Sequence, residues 1–253
     1  MIVGVQFPLY GPVINASIPS YPPSHAAFLA ATGLTLSAFY DCQVASGNLV
    51  DSVNARNLTA VSTPRYRYVN LGHQGIYCDS IADGFSAAVN DPVLNSAIIG
   101  AVANFPGSFA TLDSVIGRQS DTTFPCFCIY RNNTVTYPQF LVRDAAAASA
   151  SLQDTTVDVI AGGRPLLFLG QLDRNANLAR MVVCDTNKVI VNASASIAAH
   201  VTFTGGTNPK FAIGAGNFTS GGVAVNMAFY AEGVQCQGTT KLLDIAYRLG
   251  YGR

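Results

Sequence analysis

The sequence predicts an all-β fold, either a sandwich or a barrel of short strands. Short apolar runs recur about every ten residues between Gly, Asn and Pro turns, which is the strand spacing of a sandwich or barrel. Residues 179–230 show the pattern most clearly, as a hairpin followed by two further strands. With 253 residues, 49% hydrophobic and only 11% charged, the chain has enough apolar material for one large domain. We therefore expect an arm and short helix at residues 1–33 and one domain at residues 34–253.

The N-terminal residues 1–23 predict an extended, proline-rich arm. They hold five of the twelve prolines, and proline fixes φ and removes a backbone donor, so the segment cannot join a central strand. Its Ile, Val, Tyr and Phe side chains still need a surface. Two alternatives remain open: the arm lies on its own domain, or it docks onto a neighbouring copy in a homo-oligomer. Residues 1–6 lack the basic start and apolar core of a signal peptide, so we expect no export signal.

Two short helices flank the β pattern. Ser24 is a candidate N-cap, and Gly33 suits the left-handed residue just past the end of the helix that follows Ser24. Residues 242–249 place their apolar side chains on one face, which predicts a short C-terminal helix. The alanine-rich segment after Asp144 also has helix propensity. The surrounding β signals favour strand and loop for it.

Between the helices the apolar runs predict the strands. Residues 96–103 form a long and nearly wholly apolar run, which suits a central strand covered on both faces. The runs predicted as strands are, in chain order, 34–40, 57–61, 96–103, 124–130, 140–143, 166–169, 179–184, 189–191, 210–214 and 223–230.

The charge balance and the cysteines narrow the range of partners. Fourteen basic and fourteen acidic residues cancel, so neither nucleic acid nor an anionic membrane is favoured as a partner. No apolar run approaches the ~20 residues of a transmembrane helix. The six cysteines match no small disulfide framework, and most lie in strand-like apolar runs. We expect them to be buried free thiols.

The sequence carries no recognisable catalytic arrangement, so we expect a protein that is not an enzyme. A glycosidase needs two carboxyl groups about 5 to 10 Å apart. The chain has a single glutamate, Glu232, beside thirteen aspartates, and no local pattern pairs them. The segment at residues 84–88 lacks the second glycine of a nucleophile elbow. The three histidines are scattered and form no metal-binding pair.

Several tyrosines near predicted turns are candidate sugar platforms, because a tyrosine ring can stack on the apolar face of a sugar. The alternative is that each ring caps the core and leaves its hydroxyl in water. The tyrosines considered are Tyr66, Tyr68, Tyr77, Tyr130 and Tyr137. We select Tyr130 and Tyr137 as ligand-binding candidates.

Polar residues in two later loops complete the candidate set. Asp173 and Asn175 alternate along the chain in the manner of oxygen ligands for Ca²⁺, although Arg174 intervenes and the glycine and glutamate of an EF-hand are missing. Calcium is therefore the one candidate cofactor. Asn217 lies in a Gly-rich loop that lacks the third glycine of a dinucleotide motif. We include Asp173, Asn175 and Asn217 as candidate ligand-binding residues.

Five short patterns in the same order resemble the concanavalin A-like jelly roll, in its laminin G-like form, over about residues 34–250. Residues 37–41 and 48–59 are similar to the opening strand and its Asp-Ser-x-Gly-x-x-x-Leu-Thr turn. Residues 181–191 stand where the family has a Tyr-Val-Asp-Gly turn, residues 210–214 look like its Leu-x-Ile-Gly strand, residues 223–230 resemble its closing strand, and the C-terminal helix falls where the family often has one. Asn54-Ala55 replaces the first glycine, Thr186-Asn187 replaces Asp-Gly, and tryptophan is absent from the sequence. Binding residues cannot be carried over.

The resemblance implies a jelly-roll sandwich of two antiparallel sheets, a fold that occurs in decoration, fibre and tail components of bacteriophages. The initiator methionine without a signal peptide, the proline-rich arm, the neutral and weakly charged surface and the lack of catalytic groups favour the same assignment. We therefore expect a non-enzymatic structural or surface protein of a bacteriophage particle, such as a capsid decoration, fibre or tail component. The expected partners are other virion proteins or neighbouring copies, contacted through residues 1–23, and the expected location is the virion, with an extracellular location as the alternative. A carbohydrate-binding module for host or environmental glycans is the alternative function. A polysaccharide hydrolase or lyase ranks third.

Overall fold

A computed structural model describes residues 23–70, 73–78, 83–88, 96–106, 113–119, 126–131, 137–143, 149–153, 164–197, 210–214 and 222–253. These residues form fifteen β-strands, two α-helices and one short 3-10 turn at Val234–Cys236. The helices are α1 (His25–Thr32) and α2 (Lys241–Arg248). The arm predicted at residues 1–23 lies outside this range except for Pro23, which is buried.

The strands are short, as the spacing of apolar runs predicts. Their bounds are β1 (Ala38–Asp41), β2 (Leu58–Val61), β3 (Arg65–Asn70), β4 (His73–Cys78), β5 (Gly84–Ala87), β6 (Ala97–Asn104), β7 (Asp113–Gln119), β8 (Cys126–Arg131), β9 (Pro138–Arg143), β10 (Ser149–Gln153), β11 (Leu166–Asp173), β12 (Leu178–Cys184), β13 (Val189–Ser196), β14 (Lys210–Ile213) and β15 (Val223–Glu232).

The strands form two antiparallel sheets, which confirms the predicted sandwich. Sheet A has eight strands in the order β13-β12-β11-β6-β15-β4-β3, with β1 also paired to β15. Sheet B has seven strands in the order β10-β9-β8-β7-β14-β5-β2. Every residue of β6 is buried, as predicted for a central strand. Ser149–Gln153 form β10, in agreement with strand rather than helix for that part of the segment after Asp144, and residues 144–148 lie outside the described residues.

The main core lies between the two sheets. Alternate residues of each strand point inward, so Ile99 of β6 and Phe168 of β11 meet Phe140 of β9 from the opposite sheet. Gly170 in β11 permits this approach, because a Cβ atom there would lie 2.6 Å from the Phe140 ring. The two sheets therefore pack closely along β9 and β11.

A second hydrophobic core covers the outer face of sheet A, and both helices pack in it. Phe28 of α1 packs on Phe229 of β15, with ring centroids 4.5 Å apart, and also on Phe39 of β1. Phe229 lies over Gly100 of the neighbouring strand β6, where a Cβ atom would sit 2.3 Å from the ring. Glycine at position 100 is thus required for the Phe229 ring to lie where Phe28 of α1 packs on it.

Both predicted helices are confirmed; α1 has its predicted ends, and α2 begins and ends one residue earlier than predicted. The Ser24 hydroxyl accepts a hydrogen bond from the Ala27 amide, and Gly33 has φ 63°, the left-handed value expected after a helix. Leu242 and Ile245 of α2 are buried against sheet A, as the apolar face predicts. Neither described helix has the length and apolar character required to cross a membrane.

Two expectations from the sequence need correction. The predicted strand at residues 34–40 is shorter, because Leu34 and Leu36 lie in extended chain that covers the outer face of sheet A before β1 begins at Ala38. Four tyrosines expected near turns lie within strands instead. They are Tyr66 and Tyr68 in β3, Tyr77 in β4 and Tyr130 in β8.

The cysteines whose side chains the structure describes are buried free thiols, as predicted. They are Cys42, Cys78, Cys128, Cys184 and Cys236. Burial, with the nearby carboxylate of Asp185, raises the pKa of Cys184 to about 12. Burial likewise raises the pKa of Cys236 to about 12. These thiols stay protonated at neutral pH and act as small apolar groups.

Candidate functional site

A bulge in the edge strand β3 creates an aromatic surface on the outside of sheet A. The register of β3 against β4 shifts between Arg65 and Tyr68, and Arg67 within the bulge has φ 51°. A left-handed conformation costs a residue with a side chain about 1–2 kcal/mol. Bulges of this kind redirect the side chains that follow them.

The bulge turns Tyr66 and Tyr68 to opposite faces of the sheet. Residues two apart on a regular strand share a face. Tyr66 instead points inward, where its ring meets Phe85 edge-on at 6.0 Å and its hydroxyl donates to the Gly47 carbonyl at 2.8 Å. Burial raises the pKa of the Tyr66 hydroxyl. Tyr66 therefore serves the core.

Tyr68 lies on the outer face and stacks on Tyr77 of β4. Ile76 and Cys78 point into the core between the sheets, so Tyr77 between them points outward. The two rings are nearly parallel at 17°, with centroids 4.3 Å apart. The Arg65 guanidinium lies 5.8 Å from the centre of the Tyr77 ring. We call Arg65, Tyr68 and Tyr77 the β3–β4 surface.

The predicted site residues Tyr130 and Tyr137 lie on sheet B. Tyr130 faces outward from β8 and packs with Cys128 and Leu141 in a small cluster. It is 8% exposed, so most of its ring is covered by its own sheet. Tyr137 directly precedes β9 and is half-buried. Tyr130 therefore fits the role of a ring that caps packed side chains.

Asp173 and Asn175 occupy the turn that joins β11 to β12. The Asp173 carboxylate accepts a hydrogen bond from the Ala176 amide at 3.0 Å and another from the Gly238 amide at 3.0 Å. It also lies 3.5 Å from the Arg180 guanidinium. Asn175 is exposed at the tip of the turn. Both Asp173 oxygens are thus engaged by the protein, and calcium binding here stays a prediction.

The predicted residues do not converge on one site. Arg131, next to Tyr130, lies with its guanidinium 5.2 Å from the Phe105 ring. Phe105 follows β6 at the end that pairs with Leu166, the first residue of β11. Asp173 ends β11, about 23 Å away along an eight-residue strand. The tyrosines and the Asp173 turn therefore lie at opposite ends of the sandwich. Asn217 falls outside the described residues.

Asp173 belongs to a buried polar cluster that fastens the C-terminal segment to sheet A. The side-chain amide Nε2 of Gln171 donates to the Cys236 carbonyl at 2.6 Å and to the Gly238 carbonyl at 3.1 Å. Arg180 in turn donates to the Gln171 side chain at 3.3 Å. Sequence reasoning missed this cluster, because its members lie 58 or more residues along the chain from the C-terminal segment that they hold. The sequence signal for this cluster is the presence of two polar residues, Gln171 and Asp173, at outward-facing positions of the buried strand β11.

A second carboxylate, Asp51, organises the turn that resembles the family's first turn. Its Oδ1 accepts from the Phe39 and Val53 amides, each at 2.9 Å. Its Oδ2 accepts from the Asn54 and Arg56 amides, each at 3.1 Å. Asp51 is buried, so these four bonds fix the turn against β1.

Asn54 and Ala55 stand in that turn at the place where the resembled family has glycine. The backbone of Ala55 shows how the turn forms without it. Its φ is 56°, the left-handed conformation that glycine adopts without strain. Ala55 therefore adopts a backbone conformation that usually favours glycine. Among the described residues no group of three His, Cys, Asp or Glu side chains could hold a metal ion.

Comparison with solved structures shows similarity to botulinum neurotoxin binding domains. A serotype D binding domain matches with a TM-score of 0.60 at 8% sequence identity, covering 87% of this chain and 52% of that chain. The serotype D ligand-binding domain in complex with N-acetylneuraminic acid also gives 0.60 at 8% identity, covering 89% and 56%. The type G receptor-binding domain gives 0.56 at 11% identity, covering 85% and 51%. No protein-family model and no curated protein matches the chain.

These similarities define the protein as a β-sandwich of the jelly-roll type, in agreement with the predicted fold class. The matched structures are binding domains rather than catalytic domains. The chain spans about half the length of each of them. At such low identity the likeness shows the fold alone, so the N-acetylneuraminic acid belongs to that neurotoxin domain.

Proposed function

We propose that the protein is a non-enzymatic structural component on the surface of a bacteriophage particle, as a capsid decoration, fibre or tail protein. The resemblance to laminin G-like jelly rolls of such particles motivates the proposal. The sandwich presents a rigid scaffold, and the buried carboxylates Asp51 and Asp173 hold its turns rather than facing solvent. The role is to assemble with neighbours and to display a surface.

The outer side of α1 is the observation that carries this proposal. The helix contains no Asp, Glu, Lys or Arg. Phe28 and Thr32 are buried on sheet A, while Ala26, Leu29 and Ala30 face outward, and Leu29 is 43% exposed. A helix that is apolar on all sides is expected to be covered on all sides. The proline-rich arm leads directly into α1, so arm and helix together form the proposed assembly surface.

The proposal is tested by the oligomeric state of the full chain. Light scattering after gel filtration should show an oligomer for the native chain and smaller species after deletion of residues 1–22 or after Leu29→Lys. Val61→Lys is the matched control, since Val61 is also an exposed apolar residue but lies in β2 of sheet B, whereas α1 packs on the outer face of sheet A. A native chain that stays monomeric at high concentration contradicts the assembly role. Mass spectrometry of purified particles would test the phage assignment directly.

A second candidate function is carbohydrate binding. The β3–β4 surface favours it, because a partly exposed tyrosine stack beside an arginine is suited to a sugar ring. The matched neurotoxin structures add support, since they too are binding domains built on this fold. The two functions are compatible, because a displayed surface protein can also recognise glycans.

A further inference from the structure

We infer that the β3–β4 surface, formed by Arg65, Tyr68 and Tyr77, is a binding site for a saccharide that carries a carboxylate. This inference rests on the second candidate function, carbohydrate binding, and names its site and ligand class. It assigns the stacking role to Tyr68, one of the five tyrosines weighed from the sequence, and it places the site on the outer face of sheet A.

The first step is the bulge at Arg67. A regular β3 would direct Tyr68 inward beside Tyr66. The left-handed φ of Arg67 breaks that alternation and places Tyr68 on the outer face. Bulges and left-handed residues other than glycine persist where the surrounding structure maintains them, and they are frequent beside binding sites. The strained backbone at Arg67 thus turns the Tyr68 side chain to the outer face of the sheet.

The second step is the form of the aromatic surface. Tyr77 is 7% exposed and supports Tyr68 from one side, with the rings 4.3 Å apart. Tyr68 remains partly exposed. A ring held in place by a second ring loses little conformational freedom when a ligand stacks on it, and its face matches the apolar C–H face of a sugar.

The third step is the charge beside the stack. Arg65 and Arg67 are both exposed, and they lie two residues apart in a chain with only fourteen basic residues. A guanidinium binds a carboxylate through two parallel hydrogen bonds. Because the Arg65 guanidinium lies beside the stack, 5.8 Å from the centre of the Tyr77 ring, the surface favours an acidic sugar over a neutral one.

The alternative role for these arginines is protection of an edge strand, since charged residues discourage pairing of β3 with another chain. That role explains Arg65 and Arg67 but gives no account of the left-handed backbone that turns Tyr68 to the outer face. The ligand assignment accounts for both features.

The test uses the full chain on a glycan array and in titration calorimetry. The probes are oligosaccharides ending in N-acetylneuraminic, glucuronic or galacturonic acid, together with their neutral counterparts. We expect binding of acidic probes, at least a tenfold loss with Tyr68→Ala, and retention with Tyr68→Phe, which keeps the ring. Arg65→Gln should reduce binding of acidic probes to the level of neutral ones. Tyr247→Ala is the matched control, an exposed tyrosine on α2, and should bind as the native chain does.

The outcomes separate the site from the function. Acidic glycans that bind equally well to Tyr68→Ala place the site elsewhere, which overturns this inference and leaves carbohydrate binding standing. A native chain that binds no glycan on the array overturns both. If Arg65→Gln aggregates while its glycan binding is unchanged, the arginine protects the edge strand and the ligand assignment is wrong. Thermal melts of each variant exclude loss of binding through unfolding.

Discussion

Replacing Asp51 with alanine should destabilise the fold far more than replacing the exposed carboxylate of Asp244. The side chain accepts four backbone hydrogen bonds within the turn and from β1. Net contributions of hydrogen bonds to a charged group are about 1.5–3 kcal/mol each. The Phe39 amide is buried and would be left unpaired, whereas the three turn amides can turn to water. We therefore expect Asp51→Ala to lower the free energy of unfolding by about 3–5 kcal/mol.

Urea denaturation, followed by far-ultraviolet circular dichroism and by tyrosine fluorescence, measures the change. Tyrosine is the available fluorophore because the chain has no tryptophan. For a domain of this size the loss corresponds to about 6–10 °C in Tm. Asp51→Asn keeps one oxygen acceptor and should fall between the alanine variant and the native chain. Asp244→Ala is the matched control, an exposed helix carboxylate paired only with Arg248, with an expected loss of at most about 0.5 kcal/mol. A loss below about 1 kcal/mol for Asp51→Ala would refute the reasoning.

Three further predictions concern backbone strain, close packing and the thiols. Ala55→Gly should raise the free energy of unfolding by about 0.5–1 kcal/mol, measured in urea, because glycine accepts the left-handed φ without strain; a loss would contradict the strain. Gly100→Ala should lower Tm by several degrees, because the added Cβ would meet the Phe229 ring at 2.3 Å; an unchanged Tm would show that the ring can move. Cys184 and Cys236 keep their protons to about pH 12 in the fold but ionise near 9 when unfolded. Folding therefore binds protons in that interval, so stability falls as pH rises from about 9 towards 12 and is unaffected by these thiols below 9; a rising stability in that window would contradict their burial.

Local signals account for the parts of the fold that the sequence predicts correctly. Ser24 and Gly33 mark the ends of α1 through their own hydrogen bond and φ value. The apolar run of β6 identifies a central strand because both faces of that strand are covered. These features depend on a few neighbouring residues, so the one-dimensional pattern contains them.

The candidate site was less predictable because its geometry depends on register. Tyr68 faces outward only because Arg67 adopts a left-handed φ, and nothing in the local pattern of alternating Arg and Tyr reveals that shift. Tyr130 and Asp173 lie far apart because the C-terminal end of β8 is at one end of the sandwich and the C-terminal end of β11 is at the other. Such placement depends on pairings between distant strands, which spacing along the chain does not encode.

The position of β15 has a consequence for how the protein is made. This strand pairs with β6 on one side and with β4 on the other, and β1 also joins sheet A through it. During synthesis β1 and the β3–β4 pair leave the ribosome early, and β1 and β4 wait for a partner encoded more than 140 residues later. Until residue 232 has emerged, the described strands of sheet A remain as separate pieces, with β4 and β6 offering unpaired edges. Folding is therefore completed late, at the step that inserts β15, and a chain truncated before Val223 should aggregate rather than fold.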